Sequence, residues 1–230
     1  MRTHTRGFTL LEIIVAVSIM VMLAGFAVPL SSTLVRSAKE DATRSRLETL
    51  AKATYAYFED TLTFPKSLAV LTNEKGKAGW AGPYVTSNYV ASSAATAKYD
   101  LDAFDNTIVF GTKSASTIEI LSIGADHKKG SADDIKVVVN VLPAMRSYTQ
   151  ERVDALNAAI VAYNRARTDP MPSLSSNIQK AFSTLVSYGY LPNDTSIYTD
   201  AWKKMLVADP PNTDPLVLVK SENMSSANSK

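Results

Sequence analysis

FTLLEIIVAVSIMVMLAGFAVPL, Phe8 to Leu30, is the stretch from which the rest of the chain is read. It carries one charge, Glu12, and at ~1.5 Å rise per residue a helix of this length spans the ~30 Å hydrocarbon core of a bilayer. Arg2 and Arg6 precede it with no acidic residue between them. The positive-inside tendency therefore places the short N-terminus in the cytoplasm and everything after Leu30 outside. A carboxylate near the middle of a bilayer costs ~2.5–3.5 kcal/mol on insertion scales and normally persists only with a partner. Glu12 calls for a positive one.

The competing reading is a conventional secretory signal, with MRTHTR as its basic region and Gly25 and Ala27 as the small residues before a cut. The apolar stretch is longer than the ~7–15 residues usual for a signal core, and Glu12 sits inside it, so both features oppose that reading.

Outward from this segment the chain is ordinary. It has 230 residues, room for one large domain or two small ones, and 46% are hydrophobic. The formal charge of +2 comes from 24 Lys and Arg against 22 Asp and Glu, and losing Arg2 and Arg6 would bring the two sums level. Nothing in that balance suggests nucleic-acid binding. Cysteine is absent, which excludes disulfides, thiolate metal sites and cysteine nucleophiles. Beyond Gly7 the one histidine is His127; with no phosphate-cradling glycine loop and no zinc-ligand spacing, enzymatic activity is not expected.

RGFTLLEIIVAVSIMVML, Arg6 to Leu23, resembles the class III signal of type IV pilins and type II secretion pseudopilins. The resemblance implies that a prepilin peptidase cuts after Gly7 and methylates the new amino terminus at Phe8. It further implies that Glu12 of one subunit pairs with the Phe8 amine of its neighbour in a filament. In a low-dielectric bundle two such charges neutralise each other only when subunits stack in one register. Pro29 falls where the family usually has a helix proline; the alternative is a tolerated transmembrane kink. The partners implied are further copies of the chain, other pilin-like subunits and an inner-membrane assembly platform.

Past Leu30 the helical pattern continues, with Leu47, Leu50, Ala51, Thr54 and Phe58 at three- and four-residue steps, to about Asp60; Pro65 marks its end. The charged run Arg36 to Glu48 reads as a solvated face, with contacts between stacked subunits as the alternative. Residues 64 to 90 read as loop and turn. Strands are expected at Thr107 to Gly111, Thr117 to Ile123 and Ile135 to Leu142, giving a small antiparallel sheet laid on the helix.

Between the last two strands lies GADHKKGSADDI, which crowds Asp126, Asp133 and Asp134 together with Gly124 and Gly130 as joints. Carboxylates this close repel unless a cation joins them, and hard oxygen ligands suit Ca²⁺. The loop looks like the calcium loop of the type II major pseudopilins, and WAGPYV, Trp80 to Val85, resembles a motif of the same head. That resemblance implies side-chain ligands from Asp126, Asp133 and Asp134 and carbonyl ligands from Ile123 and Lys128. A polar hairpin whose aspartates only cap turns is the alternative. The family's DPWGN element appears only as DAFDN, Asp102 to Asn106, which weakens the major-subunit assignment.

From Tyr148 the helical pattern restarts, and RVDALNAAIVAY, Arg152 to Tyr163, lines up with RLETLAKATYAY, Arg46 to Tyr57. Further on, GYLP and DAW resemble pilin-head elements, which suggests a second, truncated unit without a membrane helix or acidic loop. Chance similarity of two amphipathic helices is the alternative.

The expected layout is an α+β chain: leader 1–7, membrane and polymerisation helix 8–30, head with calcium loop 31–143, second unit 144–215, and a strand with disordered tail 216–230. The expected function is a structural subunit of a periplasmic type II secretion pseudopilus supporting protein export. It would sit in the bacterial inner membrane with a single pass, its N-terminus cytoplasmic and its head periplasmic. A type IV pilus subunit or minor pilin is the nearest alternative, and a soluble periplasmic calcium-binding module with a conventional signal a remote one.

Overall fold

The computed structural model describes residues 9–85, 101–169, 171–209 and 218–226; the side chains of 24–31, 175–176, 195, 218 and 225–226 lie outside the description. Helix α1 runs unbroken over Leu10–Thr61. Thr9, extended at φ −80° and ψ 151°, caps it by accepting the Glu12 backbone N–H on Oγ1 at 3.3 Å. Leu62 closes it in the left-handed region at φ 51°, donating its N–H to the Phe58 carbonyl at 2.8 Å. A helix of 52 residues needs packing as well as propensity, and α1 has two distinct halves. Leu47, Leu50, Tyr57 and Phe58 are all 3% exposed or less, whereas Leu10 is 78% and Met20 68% exposed.

Among the described residues no helix is long and apolar enough to cross a membrane. The described apolar run, Leu10 to Leu23, rises ~20 Å, short of the ~30 Å required. The expected span also uses Phe8 and residues 24 to 30, whose side chains lie outside the described set. Gly7 and the Pro29 side chain fall there too.

Three strands, β1 (Val109–Ser114), β2 (Thr117–Ser122) and β3 (Ile135–Asn140), form an antiparallel sheet in the order β1-β2-β3. Alternation explains which face packs: Ile118 and Ile120 of β2 and Ile135 and Val139 of β3 are buried, while Lys136 and Val138 point outward. With α1 they close the first core, which includes Leu68, Leu71 and Val85.

Each strand departs from its expected bounds for a local reason. β1 starts two residues late because Thr107 pairs instead with Leu101, closing the DAFDN turn. β2 ends at Ser122, whose hydroxyl turns inward to Asp102 at 2.5 Å. β3 stops at Asn140 because its Oδ1 accepts the Leu142 N–H at 2.9 Å, and a helix begins with a proline in its first turn.

The segment expected to be loop contains one short helix, α2 (Leu68–Thr72), because Leu68 and Leu71 both enter the core. WAGPYV wraps the C-terminal end of α1: Trp80 Nε1 donates to the Val70 carbonyl at 3.2 Å and the Tyr84 hydroxyl to Asp60 at 2.7 Å.

Helix α3 (Leu142–Ala166) leads into a second cluster. Helix α4 (Leu174–Ser187) breaks at Asn177, at φ −154°, and restarts as Asn177 Oδ1 caps the Lys180 N–H at 2.9 Å. A 3₁₀ turn at Thr195–Tyr198 follows, then β4 (Val207–Asp209) and β5 (Leu218–Lys220), paired antiparallel, and α5 (Glu222–Ser226). Residues 222 to 226, expected to be disordered tail, are thus helical; Ser221 just before them is buried on Asp200 at 2.8 Å, which anchors the segment. The second core gathers Leu156, Ile160, Tyr163, Phe182, Leu185 and Val219. Ala144, Met145 and Ala201 belong to the first core instead, so the beginning of α3 is shared.

Candidate functional site

The first candidate is the N-terminal half of α1. Glu12, in its first turn, is exposed, and Leu11, Ile13, Val15 and Ile19 around it are 49–74% exposed. Contiguous apolar surface of this kind marks a membrane or a partner. Phe8, the expected counter-charge of Glu12, lies outside the described residues.

The second is the β2–β3 loop. Gly124 stands at φ +66°, and a Cβ there would lie 2.3 Å from the Asp133 carbonyl oxygen, so only glycine permits the closure. Around this pinch the aspartates bind the loop to itself. Asp126 Oδ1 accepts the Lys128 N–H at 2.8 Å and lies 3.2 Å from the Ser131 hydroxyl oxygen. Asp133 accepts the Ser131 hydroxyl on Oδ1 at 2.5 Å and the Asp126 N–H on Oδ2 at 2.9 Å. These bonds, the Ser131 hydroxyl foremost, lower the Asp133 carboxyl from 3.8 to about 2. Asp134 Oδ2 accepts the Gly130 N–H at 2.8 Å, while its Oδ1 is buried and has no hydrogen-bond partner among the described residues.

The structure brings the three aspartates into one loop but does not aim them at one point. Among the described residues no group of three acidic or histidine side chains is arranged to hold a metal ion. The Lys128 carbonyl lies 3.0 Å from the Ser131 hydroxyl oxygen, and Ile123 occupies the residue after β2. Arg36 of α1 lines the cleft facing Asp126, Ser131 and Asp133, and its guanidinium is held 2.9 Å from Glu40. The donor chemistry nevertheless fits a hard cation: carboxylates and carbonyls supply oxygen only, and one buried carboxylate oxygen is unsatisfied.

The third feature was not identified as a site from sequence. Asp102, 2% exposed, gathers the DAFDN turn: Oδ1 accepts the Phe104 and Asn106 N–H groups, both at 2.8 Å, and Oδ2 accepts the Ser122 hydroxyl and the Asn106 amide. Asn106 also donates from Nδ2 to the Gly124 carbonyl at 2.6 Å, and its Oδ1 meets His127 Nδ1. The same construction occurs at Asp200, 3% exposed, whose Oδ1 accepts the Trp202 and Lys204 N–H groups, both at 2.9 Å. Its Oδ2 accepts from Ser221 and Asn223, each at 2.8 Å. Buried Thr43 and Thr149 accept the Ala103 and Ala201 N–H groups, each at 3.1 Å, and Asp105 and Lys203 both sit at positive φ, 67° and 64°. The available signal was the pair of Asp-Ala-aromatic triplets, DAF and DAW.

Two family matches bear on these sites. Residues 32–141 match the type II secretion system protein G family, and residues 2–28 match the prokaryotic N-terminal methylation motif. The chain is a type IV pilin-like pseudopilin. It is a subunit of a type II secretion pseudopilus, a structural family that assembles with other pilin-like subunits after prepilin-peptidase processing. No curated protein and no solved structure matches this pseudopilin. The methylation-motif match contains Gly7, Phe8 and Glu12, and the protein G match contains the acidic loop and both residues of the Asp102–Asn106 pair. Helix α3 of the pseudopilin begins at Leu142, directly after the protein G match ends.

Proposed function

We propose that this pseudopilin is an inner-membrane subunit whose head is held by calcium and whose N-terminal helix drives filament assembly from an inner-membrane platform. The observation that carries the assembly reading is the row of exposed apolar side chains on the first half of α1, with Glu12 among them. In water that surface is unfavourable by ~25 cal/mol per Å², and bilayer or neighbouring helices would remove it. The leader would be cut after Gly7, freeing Phe8 for the Glu12 of an adjacent copy, with Pro29 giving local freedom in the helix between. Before the cut the N-terminus would face the cytoplasm and the head the periplasm.

Calcium would be held by Asp126, Asp133 and Asp134, with carbonyls of Ile123 and Lys128. Support comes from the unpartnered, buried Asp134 Oδ1 and from the oxygen-only donor set around it. When bound, the ion would supply positive charge to three neighbouring carboxylates. Residues from 144 onward would form a second, truncated head; the matching hydrogen bonds on Asp102 and Asp200 support that reading.

N-terminal mass spectrometry of membrane-extracted protein tests the assembly reading. A methylated chain starting at Phe8 is expected, and one starting at Val28 would point to a conventional signal instead. For calcium, the melting temperature in millimolar calcium should exceed that in chelator, and equal values would remove the metal from the account.

A further inference from the structure

Asn106 does more than satisfy Asp102. It is 6% exposed, and its Nδ2 is shared between two groups that can only accept, the Asp102 carboxylate at 3.0 Å and the Gly124 carbonyl at 2.6 Å. Those two partners fix the amide's orientation, which leaves Oδ1 toward His127 Nδ1. One buried side chain thus grips the acidic loop at both Gly124 and His127, on either side of Ala125 and Asp126. Gly124 is also the pinch point, at φ +66° against the Asp133 backbone, so its carbonyl is the place where a turn on another segment can set the path of the whole loop.

The second half of the chain provides an internal comparison. The Asp200 turn repeats the Asp102 turn, yet Lys204 stands where Asn106 does, and the amide reaching the buried carboxylate comes from Asn223, beyond β5. A buried aspartate in this turn can therefore be satisfied without an asparagine at the turn's end. In the half that carries the acidic loop, the amide sits where it can also reach that loop; in the half without one, it does not.

We infer that Asn106 is a positioning residue of the acidic loop, holding Gly124 and His127 so that Asp126, Asp133 and Asp134 are presented to a bound divalent cation. For its metal readout the inference rests on the calcium reading above. Residues that orient ligands without touching the ion typically change metal affinity ~10–100-fold when removed.

The test uses the full chain in detergent, comparing wild type with Asn106→Ala, Asn106→Ser and Asn223→Ala. Serine keeps the backbone N–H that Asp102 accepts and leaves a hydroxyl in the polar site, but it lacks the amide that bonds Gly124, so it is the milder variant if alanine unfolds the turn. Calcium titration by calorimetry should show ~10-fold or weaker binding in both Asn106 variants and wild-type affinity in Asn223→Ala. In metal-free protein, hydrogen exchange across 124–134 should accelerate in both Asn106 variants and stay unchanged in Asn223→Ala. Wild-type affinity and wild-type exchange in Asn106→Ser would overturn the positioning role. Accelerated exchange with no calcium binding even by wild type would overturn the metal half of the inference and the calcium reading with it, leaving Asn106 as an organiser of the loop alone.

Discussion

Asp133 shows how a single side chain couples this head to its medium. Its carboxyl titrates at about 2, held down first by the Ser131 hydroxyl and then by the Asp126 N–H, whereas an aspartate in the unfolded chain titrates near ~3.9. The folded pKa is the lower one, so the contribution is fully present above ~3.9 and is lost as pH falls through about 2. Ser131→Ala should therefore melt below wild type at neutral pH, with the gap closing between pH ~4 and ~2. Acid melts of the two proteins check this, and a gap independent of pH would show that the hydroxyl acts in some other way. Gly124→Ala belongs to the same scale. A Cβ 2.3 Å from the Asp133 carbonyl oxygen, at a left-handed φ, has nowhere to go, and strain of this kind costs ~1–3 kcal/mol. Chemical denaturation should show a loss of at least that size, where an Ala at exposed Gly130, with nothing within 4 Å, is set apart by its backbone φ of +92° alone.

At the scale of elements, α1 was readable because its two halves obey different and simple rules. The first half is apolar but for Glu12 and small hydroxyl residues, and the second has apolar residues at helical spacing, among which Leu47, Leu50 and Phe58 are buried. Leu50→Ala should cost ~2–5 kcal/mol in denaturant unfolding because the residue is fully buried between helix and sheet. Glu12→Leu should leave stability untouched, since Glu12 is exposed in the single chain. Assembly should fall instead: removing one partner of a buried ion pair costs ~3–5 kcal/mol, about two to three and a half orders of magnitude in association. Sedimentation of cross-linked filaments against soluble subunit measures it, and normal filament yield would exclude the proposed pairing with Phe8. The strands were located by β-branched content, but their ends were not, because Thr107, Ser122 and Asn140 are diverted into turns and caps by partners distant in sequence or across an element boundary. The acidic loop was equally visible as a cluster of carboxylates. The Asp102–Asn106 turn was visible only as DAFDN, and its grip on the loop was not, since it lies in bonds to Ser122, Gly124 and His127, distant in sequence.

The described residues form two cores, which meet along α3 and at Ala201, and α3 is the helix that reports on both. Ala144 and Met145, at its start, are buried with Leu50, Ile118 and Val139 in the first core. Val153, Leu156, Ile160 and Tyr163, further along, are buried with Phe182 and Val219 in the second. The acidic loop lies in the first half, while in the second Ser221 and Asn223 close on Asp200 directly. If calcium stabilises the loop, it adds RT ln(1 + [L]/Kd), ~2.7 kcal/mol at a hundredfold excess over Kd, and it adds it to the first core. Cooperative units open independently when few contacts cross between them, so chelation should divide α3. Native-state hydrogen exchange in chelator should speed up at Ile118, Ile120 and the Met145 end of the helix, and remain slow at Leu156, Ile160 and Phe182. Asp200→Ala, which leaves the Ser221 hydroxyl and the Trp202 and Lys204 amides without their acceptor, should produce the opposite pattern at a cost of ~3 kcal/mol or more. Exchange that rises together along the whole of α3 under both treatments would mean that the two cores fold as one cooperative unit, and that metal bound in one half is felt throughout the other.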